Sequence, residues 1–448
     1  MELVSPAGNV EKLAYAWEYG ADAAYIGLKK FSLRVKADNF HGDEHEEIRR
    51  MKEEYARKGK SKRLLCALNI SFRDSDIRAF LAEKDFFRAY PIDAFIVQDI
   101  GMVRLLQKEF PEIPLHLSTQ ANCVNSEAVK MYRDLGFKRV VLGREASLSD
   151  IREIKSAVPE MEIECFGHGA MCIAYSGRCL ISAYLTGRSA NGGHCSHSCR
   201  WDYNLLASEL KDGEREFAVE ERARPGEIFP VVEGEDYTAL FSSKDLCMID
   251  YVRDMKDAGV DALKIEGRMK SLYYAAVVTR AYRKRIDELE GRLQPGKSKP
   301  FADELDRVSH REFATGFYFS KDDANKTTRG ETSSPWQLAG TIGKQTAEHP
   351  DGSKEFEFFS MNKITAGTPL EYIGPDELAL ADSEYELLDP ATREKRDWVC
   401  HGHPCLIRTK APVRERYIVR SPDPDYTAEA AGMPRNNRLP KSLRNQAE

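Results

Sequence analysis

Long apolar runs are missing from this 448-residue chain. No stretch approaches the roughly 18 consecutive apolar residues of a membrane-spanning helix, so we expect no membrane span. The first residues, MELVSPAG, lack the basic and apolar regions of a secretory signal peptide. We therefore expect a cytoplasmic protein whose ten cysteines are not paired in disulfides.

An overall excess of positive charge is also absent. The formal net charge of -6 argues against indiscriminate nucleic-acid binding but leaves room for a local basic face. Residues 394–420 are such a local exception, with seven Lys or Arg against three Asp or Glu. This stretch is either an ordinary solvated surface or a contact for an RNA backbone.

Familiar metal and hydrolase motifs do not occur either. The chain has neither the paired CxxC motifs of a zinc ribbon nor the CxxCxxC run of a bacterial ferredoxin. It also lacks the HExxH of zinc peptidases and the GxSxG of serine hydrolases. Any metal site would therefore draw its ligands from separate loops.

What the sequence does contain is a dense run of cysteines. Five of the ten lie within residues 165–201, hereafter the Cys-rich segment, and Cys247 follows a polar insertion. Thiolates are soft ligands for zinc or an iron-sulfur cluster. His194 and His197 would suit zinc, so the residues alone leave a cluster, zinc and unligated thiols open. Cys165 ends an alternating strand and is expected to be a packed core residue.

The pattern of apolar residues predicts the fold. Through residue 290, short apolar runs alternate with amphipathic runs of helical period, which predicts eight βα units in a TIM-like (β/α)8 barrel. From Gln337 the pattern changes to short alternating strands, which predicts a small β-barrel. WVCHGHPC within it, with Cys400, His401, His403 and Cys405, is a possible second metal site. The predicted organisation is a catalytic domain at 1–295 with a Cys-rich insertion at 165–247, a linker at 296–336, the small β-barrel at 337–420 and a disordered tail at 421–448.

Polar residues after the predicted strands are the candidate site residues, because (β/α)8 barrels carry their chemistry there. Arginines in these loops suit an anionic ligand with carboxylates or phosphates. Lys264 and Glu266, two apart on one strand, could instead form a structural ion pair. The substrate-binding candidates are Phe31, Arg34, Asn39, Arg144, Arg178, Arg188 and Arg268, with Phe40 and Tyr175 as further stacking aromatics. The catalytic candidates are His168, Glu145, Lys264 and Glu266.

Two long stretches resemble peptidase family U32. They are ELVSPAGNVEKLAYAWEYGADAAYIGLKKFSLRVKADNF and HGAMCIAYSGRCLISAYLTGRSANGGHCSHSCRWDY. The resemblance, closest to the tRNA-hydroxylating branch, implies a (β/α)8-type domain with a 4Fe-4S cluster. By motif the ligands would be Cys172, Cys179, Cys195 and Cys247, with Cys199 in reserve.

The same resemblance implies a reaction. In this branch it is formation of 5-hydroxyuridine at the wobble position of tRNA, with prephenate as a small anionic co-substrate. Related members hydroxylate ribosomal RNA or ubiquinone precursors. The family name itself implies a collagenase-like peptidase, which we keep as the alternative although the chain lacks the peptidase motifs named above.

Overall fold

The structure is a computed structural model that describes residues 1–29, 31–33, 40, 42–172, 174–201, 203–209, 215–222, 228–231, 233–234, 237–238, 243–320, 334–423 and 426. The first fifteen strands are β1 (Glu2–Pro6), β2 (Ala23–Ile26), β3 (Arg63–Leu68), β4 (Ala94–Val97), β5 (Leu115–Leu117), β6 (Phe137–Val141), β7 (Glu162–Ala170), β8 (Tyr203–Glu209), β9 (Arg215–Glu221), β10 (Ile228–Val231), β11 (Glu233–Gly234), β12 (Tyr237–Thr238), β13 (Asp245–Cys247), β14 (Ala262–Ile265) and β15 (Phe313–Ala314). The helices are α1 (Val10–Glu18), α2 (Glu44–Arg57), α3 (Asp74–Ala82), α4 (Lys84–Ala89), α5 (Ile100–Glu109), α6 (Ser126–Asp134), α7 (Leu148–Ala157), α8 (Ile181–Thr186), α9 (Val252–Asp257), α10 (Leu272–Leu289) and α11 (Lys299–Ala302).

Eight parallel strands close into a barrel. Strands β1 to β7 pair in chain order, and β14 pairs with both β7 and β1 to complete the ring. Strand β4, AFIV, is buried along its whole length, as expected where one face of a strand meets the barrel interior and the other meets helices. The predicted (β/α)8 barrel is confirmed, with MEIECFGHGA as β7 and DALKIEGR containing β14.

The first helix begins at a cap that the sequence predicts. The side chain of Asn9 accepts a hydrogen bond from the backbone N of Lys12 at 2.9 Å, which satisfies one of the N–H groups left over at the helix start. After the helix, Gly20 turns the chain with φ 109°, a conformation that a side chain disfavours. Helix α8 differs from the others because it lies within the Cys-rich segment, in the connection after β7.

Residues 296–336, predicted as a linker, contain α11 and β15 in their described part. Strand β15 pairs in parallel with β13, which pairs antiparallel with the end of β7. Leu305, Val308 and Tyr318 are buried in the same core as the barrel. This stretch therefore packs with the first domain as well as connecting it to the second.

The C-terminal strands form a curled antiparallel sheet with its own apolar core. They are β16 (Trp336–Glu348), β17 (Lys354–Ser360), β18 (Ile364–Thr365), β19 (Leu370–Ile373), β20 (Ala379–Asp382), β21 (Glu386–Leu388), β22 (Trp398–Val399), β23 (Cys405–Thr409) and β24 (Ile418–Pro422). The order of the main sheet is β20-β19-β24-β16-β17-β23-β21. The predicted small C-terminal β-barrel is confirmed as a separate domain, in the form of a curled antiparallel sheet. Except for Tyr426, the tail beyond residue 423 lies outside the described residues.

Buried polar contacts join the two domains. The guanidinium of Arg280 on α10 donates to the carbonyl oxygens of Gly374 and Glu377 at 2.8 and 2.6 Å. Arg420, which is fully buried, donates to Glu304 at 2.5 Å. Since Arg420 belongs to the basic stretch 394–420, one of its cations serves the interior of the protein and not its surface.

Most of the other cations in 394–420 are also paired with carboxylates. Salt bridges hold Lys395 to Glu386, Arg396 to Asp389, Arg408 to Asp351 and Arg414 to Glu18. With Arg420, five of the seven cations have an acidic partner. The structure therefore favours the ordinary surface interpretation over an RNA contact here.

The possible second metal site in this domain does not form. Cys405 is buried, whereas His401 and His403 are exposed. Across the described residues, no three Cys, His, Asp or Glu side chains lie together as a metal site.

Among the described helices, none has the length and apolarity needed to cross a bilayer.

Candidate functional site

The candidate site is a small cavity at the barrel mouth, the end of the barrel where its parallel strands finish. Its volume of ≈ 60 Å³ has room for only a few waters, so a larger ligand requires the lining to move. Four sequence-predicted residues, Arg144, Lys264, Glu266 and Arg268, meet in its wall. The full lining is Tyr25, Leu33, Ala67, Asn69, Ile96, Ser118, Thr119, Gln120, Val141, Arg144, Phe166, Lys264, Glu266 and Arg268.

Lys264 is held by a carboxylate that sequence reasoning missed. Its Nζ donates to Oε1 of Glu164 at 2.6 Å, and Nη1 of Arg139 reaches the other oxygen of Glu164 at 3.0 Å. Arg139 also pairs with Glu2 and, at 2.6 Å, with Glu162. The sequence predicted a structural ion pair between Lys264 and Glu266. In the structure Lys264 instead pairs with Glu164 on the neighbouring strand β7.

The charges of Lys264 and Glu164 depend on each other because both side chains are buried. Burial alone would raise the pKa of Glu164, but Lys264 and Arg139 more than offset this and lower the pKa to about 2. Burial lowers the pKa of Lys264, and Glu164 opposes that shift. Because two cations serve one carboxylate, Glu164 stays ionised at neutral pH.

His116 on β5 is buried beside the same charges. Burial, reinforced by Arg139, lowers its pKa from 6.5 to about 3. Below pH 6.5 the unfolded chain therefore takes up a proton at this histidine that the folded protein does not. Stability from the neutral ring is complete above pH 6.5 and is lost as the pH falls towards 3.

We therefore expect His116→Gln to flatten the acid side of the stability profile. One proton of difference corresponds to about 1.4 kcal/mol per pH unit in the free energy of unfolding. Urea titrations at several pH values between about 6.5 and 5 measure this slope, a range above the titration of most carboxylates. An unchanged slope in His116→Gln would show that His116 titrates alike in the folded and unfolded states.

Glu145, a catalytic candidate, anchors the Cys-rich segment to the mouth. Its Oε1 accepts from the backbone N of Ser176 at 2.7 Å, and its Oε2 accepts from Nδ2 of Asn122 at 3.2 Å. The hydroxyl of Ser176 also lies 3.5 Å from that of Thr119 in the cavity wall. With both oxygens engaged, the carboxylate serves to hold the chain in place.

His168, another catalytic candidate, lies outside the mouth cavity. It is buried, its Nδ1 lies 3.4 Å from the hydroxyl of Tyr282, and its ring packs against Tyr274 and Phe313. Burial lowers the pKa of His168 to about 3, so the ring is neutral at physiological pH. This surrounding does not suit the proton transfer for which His168 was predicted.

The substrate-binding candidates divide into three groups. Phe31 and Phe40 are fully buried, and Phe31 packs among Phe72, Phe80 and Phe87, so both are core residues and their prediction as stacking groups was wrong. Arg34 and Asn39 lie outside the described residues. Arg144, whose guanidinium lies 4.0 Å from the centre of the Phe166 ring, and Arg268 line the cavity, whereas Arg178, Arg188 and Tyr175 are exposed on the Cys-rich segment.

The predicted metal ligands are free thiols that differ in exposure: Cys172 is exposed, whereas Cys179, Cys195 and Cys247 are partly buried. Burial, with smaller effects of Cys172 and Cys195, raises the pKa of Cys179, so both of these cysteines lie near the Cys179 thiol. Cys247 stands opposite His168 where β13 pairs with β7, and burial raises its pKa to about 11. The thiols suit a soft metal chemically, but the described side chains do not converge on one point.

Close packing of Gly177 fixes the Cys-rich segment over the mouth. A Cβ at Gly177 would lie 1.9 Å from the carbonyl oxygen of Gln120, and its φ is 73°. Gly187, with φ 66° and nothing within 4 Å of a Cβ, offers a matched control. Gly187→Ala should cost only the roughly 1–2 kcal/mol of the left-handed backbone.

We expect Gly177→Ala to cost clearly more, because the segment must also move away from Gln120. Melting temperature and the rate of limited proteolysis within 171–201 measure the two effects. Equal melting temperatures and equal cleavage rates for Gly177→Ala and Gly187→Ala would contradict this contact.

A larger cavity, of ≈ 1000 Å³, lies at the opposite end of the barrel. Among its lining residues, Asp22 and Lys62 directly precede β2 and β3. Asp22 is already paired with Arg283 at 3.0 Å. None of the sequence-predicted site residues lines this cavity, so the barrel mouth is the candidate site.

Comparison with known proteins matches this chain to one protein family and to several relatives. The profile of peptidase family U32 matches residues 8–328. The "tRNA hydroxylation protein P" of Escherichia coli (strain K12) is 36% identical over 405 residues, covering 84% of this chain and 86% of that protein. A 23S rRNA 5-hydroxycytidine synthase of the same organism is 36% identical over 291 residues, covering 64% of this chain and 40% of that protein. A protein of Porphyromonas gingivalis named "Collagenase" is 30% identical over 332 residues, covering 71% of this chain and 74% of that protein.

Proposed function

The chain belongs to peptidase family U32, and from this premise we propose that it is an RNA-modifying hydroxylase that forms 5-hydroxyuridine at the wobble position of tRNA. The observation that carries the proposal is its 36% identity, over 84% of its length, to a protein named for tRNA hydroxylation. A second relative is named for hydroxylating a base of ribosomal RNA. Both names describe addition of a hydroxyl group to an RNA pyrimidine or to tRNA.

The barrel mouth supports this proposal chemically. Its wall combines the cations Arg144 and Arg268 with neutral hydrogen-bonding groups such as Asn69 and Gln120. Cations suit the carboxylates of a small anionic co-substrate, for which prephenate is our candidate, while amides can read the edge of a base. An unpaired loop base can leave its stack and enter a pocket of this kind once the lining widens.

A 4Fe-4S cluster on Cys172, Cys179, Cys195 and Cys247 is part of the proposal. Its support is the proximity of Cys172 and Cys195 to Cys179, because both raise the pKa of the Cys179 thiol. Such a cluster, when bound, supplies one-electron transfer. Zinc at the same residues, with Cys199 as a replacement ligand, is the alternative.

A U32-type peptidase is the alternative function, favoured by the relative named "Collagenase". Against it, His168 is buried in an aromatic surrounding and the chain has no HExxH motif. The mouth lining also contains no cysteine or histidine among its described residues. The groups that a cysteine peptidase pairs are therefore not together at the candidate site.

Mass spectrometry of a strain that lacks this protein tests the choice of function. We expect tRNA to lose 5-hydroxyuridine and its derivatives, while ribosomal nucleosides and quinones keep their hydroxyl groups. Loss from ribosomal RNA or quinone instead would retain the chemistry and change the substrate. If all three pools are unchanged and peptide cleavage is lost, the peptidase replaces the hydroxylase.

A further inference from the structure

The Cys-rich segment contains no carboxylate side chain. Residues 165–201 include three arginines and three histidines but no Asp or Glu, although the chain as a whole has 72 acidic residues and a net charge of -6. Arg178 and Arg188 are exposed, and neither forms an ion pair with a carboxylate in the part of the chain that the structure describes. Arg178 and Arg188 therefore present exposed positive charge on a mildly acidic protein.

Exposed apolar side chains, two of them aromatic, also lie on the Cys-rich segment. Tyr175 is 67% exposed, Leu180 71% and Tyr184 87%, the highest value among the exposed large hydrophobic residues that the structure describes. Tyrosines this exposed bury little area within the protein itself. Exposed rings on a segment that also carries exposed arginines are instead available to a partner with flat faces and negative charge.

Helix α8 holds Tyr184 outward by anchoring its other side. Ser182, two residues earlier and so nearly opposite on a helix, is buried. Its hydroxyl donates to the carbonyl of Arg188 at 2.6 Å and accepts from the backbone N of Ser196 at 2.9 Å. Leu180 precedes Tyr184 by four residues and shares its face. The exposed face is thus fixed in direction.

The same surface is connected to the mouth. Tyr175 directly precedes Ser176, whose backbone N is bound by Glu145 and whose hydroxyl faces Thr119 in the cavity wall. At the other end of the segment, the carbonyl of Asn191 accepts from the backbone N of Ser71, in the loop after β3. A strand of RNA on this surface would therefore lie beside the cavity.

We propose that Tyr175, Leu180 and Tyr184, with Arg178 and Arg188, form a platform on which unpaired bases of the substrate RNA stack beside the reacting base. This inference rests on the proposed RNA substrate and adds how a single-stranded loop is selected over a duplex. In a duplex the bases are already stacked on one another, so their faces are closed to the tyrosines. The arginines serve either form through phosphate contacts.

Binding of RNA by the full-length, anaerobically purified protein tests the platform. The probes are an RNA hairpin with an unpaired loop and a fully paired duplex of equal length. We expect Tyr184→Ala to weaken hairpin binding roughly tenfold, as for loss of one base–aromatic stack, with duplex binding within about twofold of wild type. Tyr184→Phe keeps the ring and should bind as wild type does.

Two further variants complete the design. Arg188→Glu should weaken both probes and reduce the salt dependence, because it removes a phosphate contact. Phe359→Ala, which truncates a ring 53% exposed on the second domain, should bind both probes normally. Its exposure makes it a matched control for loss of a surface aromatic.

The outcomes separate this inference from the proposed function. Normal hairpin binding by Tyr184→Ala, in a protein whose wild type hydroxylates RNA, overturns the platform alone. Stacking is also contradicted if Tyr184→Ala lowers the affinity for hairpin and duplex equally. It is contradicted as well if Tyr184→Phe binds the hairpin as weakly as Tyr184→Ala does. If the wild-type protein binds neither RNA probe and a protein partner binds at this surface instead, both the platform and the proposed RNA substrate are wrong.

Discussion

Cys172→Ser protein, purified without oxygen, should contain no iron-sulfur cluster, whereas wild type should carry about four irons and four sulfides per chain. Cys172 is exposed and lies close enough to Cys179 to influence its thiol, as a ligand of a shared cluster would. Serine replaces the soft thiolate by a hydroxyl, a poor ligand for iron in such clusters. Iron and sulfide analysis with the visible absorption spectrum measures the effect.

Cys123→Ser is the matched control for this experiment. Cys123 is buried, and burial raises its pKa to about 11, so its thiol is kept in the protonated form that does not bind metal. The Cys123→Ser variant should therefore contain as much iron-sulfur cluster as wild type. Stoichiometric zinc without iron in wild type would reject the cluster, and full iron content in Cys172→Ser would remove this residue from the ligand set.

Glu164→Ala should lower the free energy of unfolding by about 3–5 kcal/mol, the range for breaking a buried ion pair from one side. Glu164 has no exposed surface, and its removal would leave Lys264 and Arg139 buried with less compensation. Urea unfolding at neutral pH measures the loss. The surface pair Glu127–Lys130 supplies the control, because Glu127 is 79% exposed and such pairs contribute about 0–1 kcal/mol.

A loss for Glu164→Ala no larger than that for Glu127→Ala would mean that water reaches Lys264 and replaces its partner. A double variant, Glu164→Ala with Lys264→Met, distinguishes the two situations further. Removing both charges should recover part of the lost stability, because no unpaired ammonium remains.

The strands of the barrel were predictable because each is a short, apolar run followed by a helical period. The pairing of Lys264 with Glu164 was not, because these residues lie 100 positions apart and meet only when β14 closes the ring against β7. Sequence spacing offered Glu266 as the partner. A clue was present in the acidic Glu164 within the otherwise apolar centre of MEIECF, which requires a cation if the strand is buried.

Aromatic residues in loops were the hardest to place from sequence. Phe31 follows a strand, as ligand-stacking rings often do, yet it enters a cluster of phenylalanines from α3 and α4 that the linear order does not reveal. Tyr184 gave no sequence signal beyond its place in the Cys-rich segment. Tyr184 is exposed because the buried Ser182 anchors the opposite side of α8, a contact that the sequence does not reveal.

We propose that this chain adds a hydroxyl group to the wobble uridine of tRNA. The most direct test of this proposal is mass spectrometry of the anticodon-loop fragment of a purified tRNA, compared between a strain lacking the protein and the same strain carrying it again. We predict that the fragment from the deficient strain is lighter by one oxygen where the wild-type nucleoside is 5-hydroxyuridine. Where a further group is built on that hydroxyl, the fragment should be lighter by the oxygen and the attached group together. In both cases the protein should restore the mass. An anticodon fragment of unchanged mass in the deficient strain would contradict the account.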